Sequence, residues 1–338
     1  MDTEERFELI KRNTEEILTE KELKDLLKNK RTPVVYWGTA PTGKPHLGYF
    51  LPAMKIADFL KAGFKVKILL ADLHAALDNT PWIILEKRYN YYEKIIPLLI
   101  RTIGVEIKNL QIIKGSEMQL KPEYMYDVLQ MSSNVSIHDA NKAASDVVKM
   151  GDNPKLSGII YPIMQAVDEQ YLEVDAQLGG TDQRKIMVLA RENLPKIGYK
   201  ARIEIMNPII PGLIGKKMSS SDEKSKIDLL DDEKTVKSKI QNAECTIGDP
   251  DNGIMAFIKY VIMTIKRDKN EKFILKRSKE HGGNKEYWTY GEIEKDFKSR
   301  QIHPLDLKNT LAEEIIELLK PIQKYREELE RLAKEAYS

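Results

Sequence analysis

The chain has 338 residues, with 54 Lys and Arg against 52 Asp and Glu, 42% apolar and 31% charged residues, and one cysteine. That length predicts about two domains and a core that needs no covalent staple, and Cys245 without a second cysteine excludes an intramolecular disulfide and a cysteine-built zinc site. The longest apolar runs, such as 95–100, fall far short of the roughly 20 residues of a membrane span, and residues 1–9 open acidic, without a signal-peptide n-region.

Membrane and secreted classes are therefore set aside and a cytoplasmic location is expected. The net charge of +2 neither announces nor excludes a polyanion partner, because a balanced total can hide a basic face.

In chain order, Phe7, Ile10, Ile17, Leu23, Leu26 and Leu27 recur at helical spacing and predict a helical arm over 1–30, with Thr14 and Thr19 as caps. Residues 33–37 are β-branched and aromatic and stop at Gly38, a first strand; 39–44 carry the turn residues Pro41 and Gly43. A helix over 45–62 and an apolar strand over 66–71 follow, and strand, loop, helix, strand is the grammar of a parallel sheet. The alternation continues with a helix near 82–103, a strand near 110–114, helical stretches over 124–149, a helix near 157–171, a strand at 174–178, a helix over 182–194 and a strand near 203–205. The expected fold class is α/β, a doubly wound parallel sheet of about five strands with a helical insertion between its halves. Past a boundary near 210 the pattern turns to charged helices at 233–242, 253–265, 290–298 and 305–336, an all-α region.

In such a sheet, ligands bind beyond the carboxyl ends of the strands. After the first strand comes GTAPTGKPHLGY (38–49), in which Pro45 suits a first helical position and the amides around 45–47 would favour an anion. His46 would add a donor, and Gly38 and Gly48 leave room for a flat ring, so a nucleotide fits; a tight turn that merely needs glycines explains the same residues. GxGxxG and GxxxxGK[ST] are absent, which argues against a dinucleotide fold and a P-loop. GKKMSSS (215–221) holds two lysines and three hydroxyls that would fold over a polyphosphate, or form a solvated linker. Tyr161, Gln165 and Asp168, spaced by four and three, share one helix face, with Pro162 in its first turn or kinking it; such a face is also what an ordinary half-buried stripe looks like.

PHLGY (45–49) and KMSSS (217–221), about 170 residues apart, resemble the two signatures of class I aminoacyl-tRNA synthetases. ADLH (71–74), YPIMQAVD (161–168), GGTDQRK (179–185) and HPLDLKN (303–309) are similar to tyrosyl-tRNA synthetases of the archaeal and eukaryotic type, and the similarity runs from about Phe7 to the C-terminal helix. The resemblance implies an arm over 1–30, a Rossmann-like catalytic domain over 31–210 with an insertion at about 115–150, and a helical anticodon-recognition domain over 211–338. It implies a tyrosine-tRNA ligase that first makes tyrosyl-adenylate from L-tyrosine and ATP and then charges tRNA(Tyr).

By the same resemblance, Tyr161, Gln165 and Gln183 hold the amino group of tyrosine, Tyr36 and Asp168 its phenol, and Leu69 and His74 line the pocket; His74 also reads as a helix cap or packing residue. Gly38, Thr42, His46, Gly48, Gly180, Asp182 and Lys217 are the ATP set, and His46, Lys217, Ser219, Ser220 and Ser221 the catalytic one. Arg184 and Lys185 face the acceptor stem, and His281, His303 and Asp306 the anticodon. Mg2+ would accompany ATP, with no protein ligand assigned, and a homodimer would form through 110–149.

Phenylalanine would be rejected because it leaves buried polar groups unpaired. Tyrosyl-tRNA synthetases are the type case, with discrimination of about 10⁵ and no editing, and that figure is theirs rather than a result from these residues. No insertion long enough for an editing domain is present, and the end at Ser338 leads to the expectation of no appended tRNA-binding domain.

Three departures stand out: Tyr49 where the first signature ends in histidine, one lysine in KMSSS with Lys216 just before it, and His281 where relatives stack an aromatic ring. The alternatives are a tryptophanyl-tRNA synthetase, a tRNA-independent nucleotidylyl transferase or ligase resembling pantothenate synthetase, and an RNA-binding relative without catalysis.

Overall fold

The computed structural model describes residues 1–148, 153–215 and 226–338. Helix α1 (Thr3–Lys11), strand β1 (Glu16–Leu18) and α2 (Glu20–Asn29) precede the central strand β2 (Val34–Thr39). A 3-10 turn (Leu47–Tyr49) runs into α3 (Phe50–Lys61), followed by β3 (Lys65–Leu70), α4 (Asp72–Leu77), α5 (Leu85–Thr102) and β4 (Leu110–Lys114). Helices α6 (Gly115–Gln119), α7 (Pro122–Ser132) and α8 (Ile137–Ala144) lead to α9 (Leu156–Tyr171), then β5 (Ala176–Gly180), α10 (Arg184–Asn193) and β6 (Ile203–Asn207). The remainder is α11 (Glu233–Gln241), α12 (Gly253–Phe257), α13 (Met263–Asp268), β7 (Phe273–Leu275), β8 (Lys285–Tyr287), α14 (Tyr290–Lys298), α15 (Pro304–Gln323) and α16 (Arg326–Tyr337).

The six-stranded sheet has the order β1-β6-β5-β2-β3-β4, parallel except for β1 against β6. The chain winds outward from β2 through β3 and β4, then returns to the other side of β2 with β5 and β6. The switch point between β2 and β5 is where such sheets bind ligands. One face of the sheet packs against α3 and α5 through Phe50, Phe59, Tyr92 and Ile96. The opposite face packs Tyr36 and Leu69 against Ile163, Met164 and Val167 of α9.

Four sequence expectations need correction. The arm is broken by β1 after a left-handed turn at Asn13 (φ 58°), because pairing Ile17 with Ile205 satisfies an otherwise open sheet edge. Its helices are capped by Asp2 and Thr19; Thr14 instead bonds back to the Lys11 carbonyl. The last long helix is two, parted at Tyr325, next to which Gln323 reaches the carbonyls of Leu229 and Asp231. The C-terminal region, mainly helical, also carries the antiparallel ribbon β7-β8, whose Phe273, Leu275 and Tyr287 are buried in the main core.

That core runs without a break from α3 and α5 into the C-terminal helices: Phe50 meets Phe257 edge-on at 6.3 Å, and Tyr91 meets Tyr337 at 5.9 Å. A polar strap adds to it. Arg12, just past α1, bonds to Asp58 of α3 and Asp268 of α13, and Lys61 bonds to Asp268 at 2.6 Å.

Candidate active site

A cavity of about 820 Å³ opens beyond the carboxyl ends of β2 and β5, at the switch point. All seven residues expected around an amino acid line it: Tyr36, Leu69, His74, Tyr161, Gln165, Asp168 and Gln183. The spacing on α9 works as read, with Pro162 inside the helix, past its first turn. Gln165 Nε2 donates to Gln183 Oε1 at 3.1 Å, linking α9 to the loop after β5.

Asp168 is the most constrained group of the floor. Its Oδ1 accepts from Gln119 Nε2 and from the Tyr124 hydroxyl, both at 2.8 Å. Burial nevertheless pushes its carboxyl up to about 7, with those two bonds working in the opposite direction. His74 lies inside α4, whose N-cap is Ala71, so it is not a cap; its ring meets Tyr161 edge-on at 4.5 Å. Burial lowers His74 to about 4, so the imidazole is neutral, and with Nδ1 facing the Gln119 amide at 3.2 Å its proton belongs on Nε2. That Nε2 stands 3.8 Å from Asp168 Oδ2, beyond hydrogen-bond range.

Several buried polar atoms here have no hydrogen-bond partner among the described residues: Tyr36 Oη, His74 Nε2, Gln119 Oε1, Gln177 Oε1 and Asn207 Oδ1. Orphaned atoms of this kind are rare and costly in a folded protein. Four of their residues line the cavity, which makes its floor complementary to a polar ligand. Gln119, Tyr124, Gln177 and Asn207 were missed in the sequence. Gln119 and Tyr124 sit in the insertion and Gln177 inside strand β5, with no local pattern to mark them, whereas Asn207 ends β6 and the strand-end rule could have found it.

The other wall carries Gly38, Thr42, His46, Gly48, Gly180 and Asp182, the described members of the ATP set. The helix start differs from the expectation. Pro45 precedes the turn, and His46 is its N-cap, with Nδ1 accepting from the Gly48 amide at 3.1 Å. The Leu47 amide donates to the Ile227 carbonyl at 2.9 Å and the Tyr49 amide to His46. These amides are spent inside the protein, so the anion-binding capacity expected of them falls to His46. Burial, then the charge of Lys226, hold that ring near 4; neutral and accepting on Nδ1, it carries a donor on Nε2.

A Cβ on Gly180 would lie 2.5 Å from Asp182 Oδ1, so a side chain there would displace the Asp182 carboxylate. Tyr49 is held by the Tyr92 hydroxyl at 3.1 Å and by Thr39 at 3.3 Å, a packing role that agrees with leaving it out of the phosphate set. Arg88, also missed, bridges the Thr42 carbonyl and Thr80 Oγ1 at the cavity wall. Lys216, Lys217, Ser219, Ser220 and Ser221 lie outside the described residues.

The residues expected to face RNA stand elsewhere. Arg184 is engaged by Glu16 at 2.6 Å and Lys185 by Asp146 at 2.9 Å. His303 caps α15, its Nδ1 accepting from the Leu305 amide at 3.2 Å. Asp306 lines a second cavity of about 550 Å³ with Lys237, Lys276 and Arg277. The backbone of His281 ends a short 3-10 turn before Gly282 and Gly283, both left-handed (φ 88° and 70°); its side chain lies outside the described part.

The sheet, its switch-point cavity and the pairing of a polar floor with a His-Leu-Gly wall fit the catalytic domain of a class I tRNA synthetase. The family model for class I tRNA synthetases of the tryptophan and tyrosine type matches residues 28–320. The cytoplasmic tyrosine-tRNA ligase of Danio rerio is 50% identical over 99% of this chain and 63% of its own length, and that of Saccharomyces cerevisiae 49% identical over 96% and 84%. The crystal structure of a tyrosyl-tRNA synthetase from Archaeoglobus fulgidus complexed with L-tyrosine superposes with a TM-score of 0.89 at 37% identity, covering 96% of this chain and 99% of that one. The chain belongs to the class I tRNA synthetases, in the branch of the tyrosyl enzymes. It spans about 63% of the length of the vertebrate relatives it matches.

Proposed function

We propose that this chain is a tyrosine-tRNA ligase. The observation that carries the reading is the buried floor, where Asp168 and the unpartnered Tyr36 hydroxyl stand in the same cavity as His46 and Gly48. A phenol supplies what the floor lacks: its proton to Asp168 and its oxygen to Tyr36. An indole offers one N–H and no acceptor, and a phenyl ring offers neither.

In the first step a carboxylate oxygen of tyrosine attacks the α-phosphorus of ATP, and the bond to the β-phosphate oxygen breaks with its electrons, releasing pyrophosphate. In the second, a 3′-terminal ribose hydroxyl of tRNA(Tyr) attacks the tyrosyl carbonyl and AMP leaves, the hydroxyl proton departing with its phosphate. No side chain becomes a covalent nucleophile, so catalysis rests on positioning and on donors to the phosphates. Tyr161, Gln165 and Gln183 hold the amino group; Gly38, Thr42, Gly48, Gly180 and Asp182 take the nucleotide; His46 Nε2 faces its phosphates. By the family resemblance, Lys217 and Ser219 to Ser221 of the second signature would complete the phosphate contacts.

Among the described residues no group of three or more His, Cys, Asp or Glu is placed to hold a metal ion. Mg2+ would enter as the counter-ion of ATP. The region after residue 210 would read the anticodon through Asp306, His303 and His281, with Arg184 and Lys185 released from Glu16 and Asp146 to meet the acceptor stem. Exposed Leu120, Tyr126, Leu129 and Ile137 on the insertion support a homodimer. The relatives named cytoplasmic support that location, and no described helix is long and apolar enough to cross a membrane.

The test is ATP-pyrophosphate exchange with tyrosine, phenylalanine and tryptophan in turn. Exchange with tyrosine alone is expected; exchange with tryptophan alone, or with none, overturns the reading.

A further inference from the structure

Behind the phenol end of the cavity lies a group of buried polar side chains that the proposed reaction does not use. Tyr36 of β2 is in register with Gln177 of β5, and Gln177 with Glu204 of β6, so the three side chains stand in one row on one face of the sheet. Helix α9 covers that face through Ile163, Met164 and Val167 and places Glu169, the neighbour of Asp168, close enough to Glu204 for the two carboxyls to interact. Both glutamates are fully buried, and no donor among the described residues reaches any of their four oxygens; Gln177 Oε1 and Tyr36 Oη are likewise unpartnered. As carboxylates neither glutamate can donate to the other. A single proton held between them turns repulsion into an O–H···O bond and satisfies both.

The charges facing the pair come from every side. Arg191 of α10 is already shared with Glu22 of α2 and with the Leu18 carbonyl, and Arg202, before β6, with Gln170. Asp168 adds negative charge from α9, and Tyr36 faces the pair from β2. Burial raises both carboxyls, their mutual repulsion raises Glu204 further, and the two arginines work against this.

We propose that Glu204 is a positioning residue for the amino-acid pocket: it shares one proton with Glu169, and the singly charged pair lets the row Glu204, Gln177, Tyr36 present the Tyr36 hydroxyl to the substrate's phenol. Loss of the shared proton puts a second full charge at the end of the row, where it attracts the Gln177 amide and the Tyr36 hydroxyl proton away from the ligand. The proposal rests on the tyrosine reading above.

The experiment measures the ratio of kcat/KM for tyrosine over phenylalanine in ATP-pyrophosphate exchange from pH 6.5 to 9.5, for the full chain and for Glu204→Gln and Glu169→Gln. The two substrates carry the same α-amino group, so its ionisation cancels in the ratio. The wild-type ratio is expected to fall about tenfold on the alkaline side, the worth of one hydrogen bond to a buried group. Either variant leaves one carboxylate facing an amide donor, and its ratio should stay level there. A wild-type ratio that is level, or variants that fall with it, would overturn the proposal. Where a variant fails to fold, the infrared spectrum of Asp168→Asn, which removes the other raised carboxyl, decides: a carboxylic-acid band that is lost over the pH range in which the wild-type ratio falls is expected, and its absence at neutral pH overturns the shared proton. No exchange with tyrosine at any pH would sink the functional reading instead, and the infrared band would still test the pair.

Discussion

The floor of the large cavity and the small cavity beside Asp306 present their polar groups in opposite ways. At the floor, Asp168, His74 and Tyr36 are withdrawn from water to 2% exposure or less, the histidine is kept neutral, and polar atoms wait without partners. A ligand lacking the right donor leaves those atoms unpaired, and a small difference in the ligand becomes a large one in energy. Beside α15, Asp306, Lys237, Lys276 and Arg277 line an open cavity whose charges stay in contact with solvent. Under the proposed function, recognition of a nucleic acid there would rest on charge, stacking and a few base contacts, each of which water partly replaces. On the proposed reading, burial would give discrimination at the first site, and accessibility would let a macromolecule reach the second.

The largest test of that contrast is Asp168→Ala, which should cost about 10³ in preference for tyrosine over phenylalanine, from a family total near 10⁵, while the KM for ATP changes little. Competitive exchange assays measure both, and an intact preference would place discrimination elsewhere. Next is His46→Ala. Removing a donor to the reacting phosphates should slow adenylate formation about 10²-fold with tyrosine affinity unchanged, read by single-turnover kinetics and equilibrium dialysis. At the open site Asp306→Ala should lower kcat/KM for tRNA charging about tenfold, the usual worth of one base contact. It should leave pyrophosphate exchange untouched, and the KM for tRNA should rise with salt while that for tyrosine does not.

The smallest effect is on stability. The Asp168 carboxyl, at about 7, lies above its unfolded value, so the stability it allows is full below the unfolded pKa and is lost as pH rises through about 7. Asp168→Asn should therefore raise the Tm of the unliganded protein at pH 8 by roughly 2 °C or more, with the gain vanishing near pH 4. A calorimetric scan at the two pH values checks this. His46 and His74 have the opposite sign: held near 4, they support the fold above pH 6.5 and cost stability as pH falls toward 4.

Much of the large cavity was legible because its residues fall on local patterns. Tyr161, Gln165 and Asp168 share a face at spacings any helix enforces, and residues at the carboxyl ends of parallel strands, such as Gly38 and Gly180, must cluster at one end of the sheet. Gln119 and Tyr124 carried no such mark: they reach Asp168 from 49 and 44 residues away through an insertion whose docking no spacing encodes. The start of the first-signature helix was misplaced for a similar reason. Pro45 fits a first helical position, yet the Leu47 amide finds the Ile227 carbonyl, 180 residues later, and His46 takes the cap.

By itself the sequence determined the parallel αβ alternation, the exclusion of an intramolecular disulfide within these residues, and which side chains could line a pocket, because hydrophobic period, composition and strand ends are local properties. Only the tertiary structure decided their state. The neutral His46 and His74, the raised Asp168, the row from Glu204 to Tyr36 and the edge strand β1 all depend on what distant chain excludes water from them, and desolvation is a property of the packed molecule.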